Sequence, residues 1–97
     1  MKSYLITPEG KKTYIKPHKD KKWTVEELQF LLDGYIEPVP SETDTEDNQP
    51  YVLVNEDGYN LRLPVNSVGS LMAMTVGKSI ARVLVGNVLF IDKKEFS

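Results

Sequence analysis

Apolar residues are arranged along this chain in two ways. Tyr4-Leu5-Ile6, Tyr51-Val52-Leu53-Val54 and the tract Ala81–Ile91 are nearly unbroken apolar runs. Val25, Leu28, Leu31 and Leu32 instead recur at the spacing of one helix face. The runs predict strands. Residues 3–6 and 12–16 read as two strands joined by Thr7-Pro8-Glu9-Gly10, whose Pro and Gly suit a tight reversal, and Pro17 ends the second. The helical spacing predicts a helix over 25–33. Thr24 and Glu27 have the spacing of a capping box, and Trp23 and Leu28 that of a hydrophobic staple. Gly34 is expected to stop the helix in the left-handed conformation.

Tyr35–Val39 reads as a further strand, with Pro38 marking an edge. Residues 40–50 contain no large apolar residue and are bracketed by two prolines, which predicts a solvated, mobile acidic loop. Asn55-Glu56-Asp57-Gly58 separates 51–54 from the alternating run 59–63 and predicts a hairpin. Asn66 or Ser67 can cap a second helix on which Val68, Leu71, Met72 and Val76 share a spacing. Residues 81–91 read as one strand bent at Gly86-Asn87. The order β-β-α-β-β-β-α-β describes an α+β fold: a small, mostly antiparallel sheet with two helices packed on it.

The 97 residues suffice for a single domain, 1–97. Without Cys there is neither a disulfide framework nor a Cys-based zinc site. The net charge of −2 hides three blocks. Residues 1–22 carry seven Lys against Glu9 and Asp20, residues 23–60 carry ten acids and no base, and residues 61–97 are again basic. The N-terminal residues lack the apolar core of a signal peptide. The longest apolar stretch falls far short of the ~20 residues of a membrane span. The expectation is a cytoplasmic chain that makes no use of a membrane.

Familiar chemistry is missing its parts. His18 is the only His and has lysines as neighbours. Gly77-Lys78-Ser79 resembles the end of a phosphate loop, but Met72 stands where the first Gly is required. Asp44, Glu46 and Asn48 alternate as calcium ligands do, but Gln49 and Asn55 replace the required Gly and Glu. No metal, cofactor or catalytic residue is therefore expected. The basic block offers Lys11, Lys12, Lys16, Lys19, Lys21 and Lys22, with Tyr14 and Trp23 between them, as a nucleic-acid footprint. It contains no Arg for reading base edges. The acidic middle could instead imitate a phosphate backbone if its carboxylates line one surface.

Four short blocks, Gly34-Tyr35-Ile36-Glu37, Val54–Gly58, Leu63–Asn66 and Val85–Leu89, form an ordered series over about residues 24–92. The series resembles a family of small domains of unknown function found in bacteriophages, conjugative elements and gut bacteria. The resemblance implies an accessory role in a mobile element and supplies no catalytic residues. Within these blocks Glu37, Asn55, Glu56 and Asn66 are polar groups at element ends and are candidates for one binding rim. Together with Lys11, Lys12, Lys16, Lys21 and Lys22 they make up the candidate binding residues. The expected function is a non-enzymatic interaction module that binds a protein partner or, alternatively, nucleic acid. Two other readings are a counter-defence inhibitor presenting acidic surface to a DNA-binding enzyme and a small enzyme using Glu37 and Glu56. Exposed strand edges leave a homodimer open.

Overall fold

A strand buried on both faces has no polar alternation, and the three unbroken runs supply the centre of the sheet for that reason. The computed structural model describes residues 1–18, 22–42 and 49–96. Its strands are β1 (Tyr4–Ile6), β2 (Lys12–Tyr14), β3 (Ile36–Pro38), β4 (Tyr51–Asn55) and β5 (Val88–Ile91). They form one antiparallel sheet in the order β2-β1-β5-β4-β3. Helix α1 (Val25–Leu32) follows β2, helix α2 (Ser67–Thr75) precedes β5, and a 3-10 turn over Lys93–Glu95 follows β5.

Successive residues of the inner strands enter opposite cores. Tyr4, Ile6, Val52, Val54, Val88 and Phe90 pack with Ala73 of α2. Leu5, Leu53, Leu89 and Ile91 pack with Trp23 and with Leu28 and Leu32 of α1. The two helices therefore cover opposite faces, and the sheet is the middle of three layers.

The start of α1 follows the capping arithmetic. The Thr24 hydroxyl accepts from the Glu27 N–H, and the Glu27 carboxylate accepts from the Thr24 N–H. At its end the left-handed residue is Asp33, with φ 57°, rather than Gly34. Gly34 is required for another reason: a Cβ there would sit 2.6 Å from the Asn55 Nδ2.

The antiparallel, two-helix α+β architecture is the expected one. The run 59–63, however, forms a series of turns instead of a strand. β4 already lies between β5 and β3, so no edge remains for a returning strand. Local bonds, such as Leu61 N–H to Asp57 O and Leu63 N–H to Gly58 O, satisfy that backbone instead. The bend at Gly86 is present, with φ 73°, but the strand after it is confined to 88–91. Before the bend, Val85 makes an isolated bridge to Val65.

α2 turns only part of its expected face to the sheet: Met72 and Val76 pack half-buried against the core, and Val68 and Leu71 do not. Its buried side is Gly69, Ser70 and Ala73. A Cβ on Gly69 would lie 2.9 Å from Val88 Cγ2, so the small residues bring the helix backbone close to the sheet. Val68, Leu71 and Met74 are left facing outward.

Candidate functional site

The four polar candidates separate into two kinds. Asn55 ends β4, and its side chain is committed to the end of α1. Its Nδ2 donates to the carbonyls of Leu32 (3.0 Å) and Asp33 (3.2 Å), and its Oδ1 accepts from the Asp57 N–H. Asn66 is fully buried at the start of α2. Its Oδ1 accepts from the Gly69 N–H, and its Nδ2 donates to the carbonyls of Ile6 and Gly86, all at 2.8 Å. Ser70 extends the network: its hydroxyl donates to the Asn66 carbonyl and accepts from the Leu84 N–H. Both amides thus join backbone segments that are distant in sequence.

Glu37 and Glu56 are exposed and lie on one face of the sheet edge. Glu37 is opposite Val54 in the β3–β4 register, and the Glu56 N–H donates to the Tyr35 carbonyl. Both line a groove of about 480 Å³, together with Tyr59, Asn60, Ser79 and Arg82. Asn55 reaches the same groove, but Asn66 is not among its lining residues. Three of the four expected rim residues are therefore gathered and the fourth is not. The Arg82 guanidinium stacks on the Tyr59 ring, 3.5 Å from its centroid, and the Tyr59 hydroxyl donates to the Val83 carbonyl. The sequence reading missed Tyr59 and Arg82, because their approach depends on the turns that replace the expected strand 59–63.

The basic candidates are also divided. Lys11 and Lys12 are exposed at β2, and Lys16 follows it. The Lys12 ammonium lies 4.3 Å from the centroid of Tyr4 and 5.1 Å from that of Tyr14. Lys22 points elsewhere, with its Nζ donating to the Lys94 carbonyl. Lys21 lies outside the described residues, as do Lys19, Asp20 and residues 43–48 of the acidic stretch. Of the two interleaved aromatics, Tyr14 is 61% exposed and Trp23 is buried. The Trp23 indole donates to the Glu95 carboxylate, which also accepts from the buried Ser3 hydroxyl. Tyr14 alone could stack on a base.

Lys78 belongs to the Gly77-Lys78-Ser79 triplet, which lacks the first Gly of a phosphate loop. It is only 4% exposed and donates to the Ser41 hydroxyl at 2.9 Å. Burial, and then the charge of Lys93, hold its ammonium below the ordinary Lys value. Among the described residues no group of three or more His, Asp or Glu is placed to hold a metal ion. No helix of the described residues is long and apolar enough to cross a membrane.

A third surface lies on the outer side of α2. No residue of α2 carries a charge, and Val68, Leu71 and Met74 recur along its outer side. A shallow hollow of about 390 Å³ lies beside them, lined in part by Leu71, Met74, Ile80 and Val83.

The class is thus a small α+β domain in which an antiparallel sheet is enclosed by two helices. The chain belongs to the family described as Domain of unknown function (DUF3846), whose model matches residues 1–96, with the N-terminal hairpin included. No curated protein and no solved structure matches it.

Proposed function

We propose that this DUF3846 domain is a non-enzymatic binding module of a phage or other mobile element, and that its partner is a protein. The outer face of α2 carries the reading. A surface helix ordinarily turns its large apolar residues inward and its charges outward. Here the fully buried positions are small, only Met72 of the large residues within the helix packs inward, and Val68, Leu71 and Met74 face solvent with no charge on the helix. Val65 and Val83, both exposed, supply further apolar surface. Contiguous apolar patches of this kind mark protein interfaces.

The test is affinity capture from the natural host, comparing wild type with Leu71→Glu/Met74→Glu. A defined protein retained by wild type and lost from the variant is the expected result. Equal retention by both chains would place the interface elsewhere. A second copy is the competing occupant. Light scattering that shows a dimer in wild type and a monomer in the variant would identify it.

One observation favours a second reading. Glu37 and Glu56 share a groove, as an enzyme using paired carboxylates requires. Loss of partner capture in Glu37→Gln/Glu56→Gln, with capture intact in the α2 variant, would move the function to that groove.

A further inference from the structure

We infer that the outer edge of β2 is a strand-addition site for an extended acidic segment of a partner protein. The β1–β2 register fixes which backbone groups are unused. Thr7 N–H donates to Lys11 O and Ile15 N–H donates to Ser3 O, and Leu5 pairs with Thr13 between them. In antiparallel pairing the bonded positions alternate. Lys11, Thr13 and Ile15 therefore face β1, while the N–H and C=O groups of Lys12 and Tyr14 face outward. The opposite edge is not equivalent. There the inward positions are Tyr35, Glu37 and Val39, so Ile36 and Pro38 face outward, and Pro38 has no N–H to give.

Two features choose the occupant. Lys11, Lys12 and Lys16 flank the β2 edge, so the added strand should carry carboxylates. A second copy would set these lysines against their own kind, which destabilises strand pairing. Beyond the C-terminal end of β2, an open hollow of about 450 Å³ is lined by Ile15, Lys16, Trp23, Phe30 and Leu31, with Glu26 and Glu27 on the α1 side. Phe30 is 85% exposed on its rim. The Glu27 carboxylate is already engaged by the N–H groups of Thr24 and His18. Strand addition combines main-chain bonding with a pocket for an alternate side chain, and both elements are adjacent here. The segment should therefore place Asp or Glu along Lys11 and Lys12 and an uncharged apolar residue over Phe30. A nucleic acid would use the lysines and the exposed rings, but would not form a regular ladder with the Lys12 and Tyr14 backbone groups.

This inference rests on the reading of the chain as a protein-binding module. The probe is a fluorescein-labelled peptide of about twelve residues alternating Glu with Val and Phe. Binding is measured by anisotropy on the full chain, with a dT oligonucleotide as the second arm. Tyr14→Pro removes an outward N–H at an edge position that tolerates Pro, and Tyr14→Ala removes only the ring. The peptide should bind wild type and Tyr14→Ala comparably and Tyr14→Pro about tenfold more weakly. Hydrogen exchange on wild type gives a second readout that does not depend on the Pro variant folding. The Lys12 and Tyr14 amides should become protected when peptide is added. Peptide binding without that protection, no peptide binding at all, or oligonucleotide binding lost equally in Tyr14→Ala and Tyr14→Pro would overturn the inference. Leu71→Glu/Met74→Glu separates the two proposals, since that variant should bind the peptide as wild type does.

Discussion

Asn66 shows how a single side chain can hold three segments at one point. Its amide accepts from α2 and donates to the ends of β1 and of the Gly86 bend, with no exposure to water. Removing it leaves buried groups without partners, which costs more than the bonds themselves. Asn66→Ala should destabilise the fold by roughly 3 kcal/mol in denaturant unfolding. A loss below about 1 kcal/mol would mean that water or a local shift replaces the amide. Glu27 acts at the same scale through protonation. Its carboxyl is held below the ordinary Glu range by the Thr24 N–H and then by the His18 N–H. The unfolded chain therefore takes up the proton first as pH falls. The contribution is fully present above the ordinary Glu value and is lost as pH drops through the lowered one. Glu27→Gln should flatten the acid limb of a melting-temperature profile, and an unchanged limb would contradict the assignment. Residue types and local spacing made the Thr24–Glu27 box and the Asn66 cap legible in the sequence. The long-range donors of Asn55 and Asn66 were not legible, because their acceptors are 23 and 60 positions away.

At the scale of elements, α2 departs furthest from its pattern. Val68, Leu71, Met72 and Val76 share a helical spacing, and spacing alone assigns them to the core. Met72 and Val76 do pack half-buried against the core, but Val68 and Leu71 are turned outward, since Gly69 and Ala73 allow a close approach to the sheet that larger residues would prevent. In an exposed helix Gly→Ala is worth up to about 1 kcal/mol of added stability. Here the new Cβ would meet Asn66 Oδ1 at 2.8 Å and Val88 Cγ2 at 2.9 Å. Gly69→Ala should therefore lose roughly 1–2 kcal/mol, and a gain would show that α2 is not seated as described. The strand 59–63 failed on similar grounds. Its alternation and the Asp-Gly pair are local signals, but occupation of both sides of β4 is a property of the whole sheet. The edge character of β3 was readable, because Pro38 cannot donate to a ladder wherever it sits.

For the whole molecule, the strand runs make the argument. Tyr4–Ile6, Val52–Val54 and Val88–Ile91 have apolar residues at every position because α1 and α2 cover opposite faces. With both faces enclosed, what remains to meet partners is the sheet edges, the groove at β3 and the outer sides of the helices. Two of these surfaces differ in chemistry: the β2 edge is basic with unused backbone groups, and the outer side of α2 is apolar and uncharged. The separation into charge blocks along the sequence anticipated the first and gave no sign of the second. Variants on the two surfaces should act independently, because β2 and α2 share no direct bond among the described residues. Peptide affinity should respond to Tyr14→Pro alone, and partner capture through α2 to Leu71→Glu/Met74→Glu alone.

Photo-crosslinking in the native host, with a benzophenone side chain in place of Leu71, tests the protein-binding reading most directly. The account predicts one defined crosslinked protein, absent when Met74→Glu is added and absent when the benzophenone instead replaces the exposed Val25 of α1, on the opposite face of the sheet. The same adducts from both positions, or none from position 71, would contradict it.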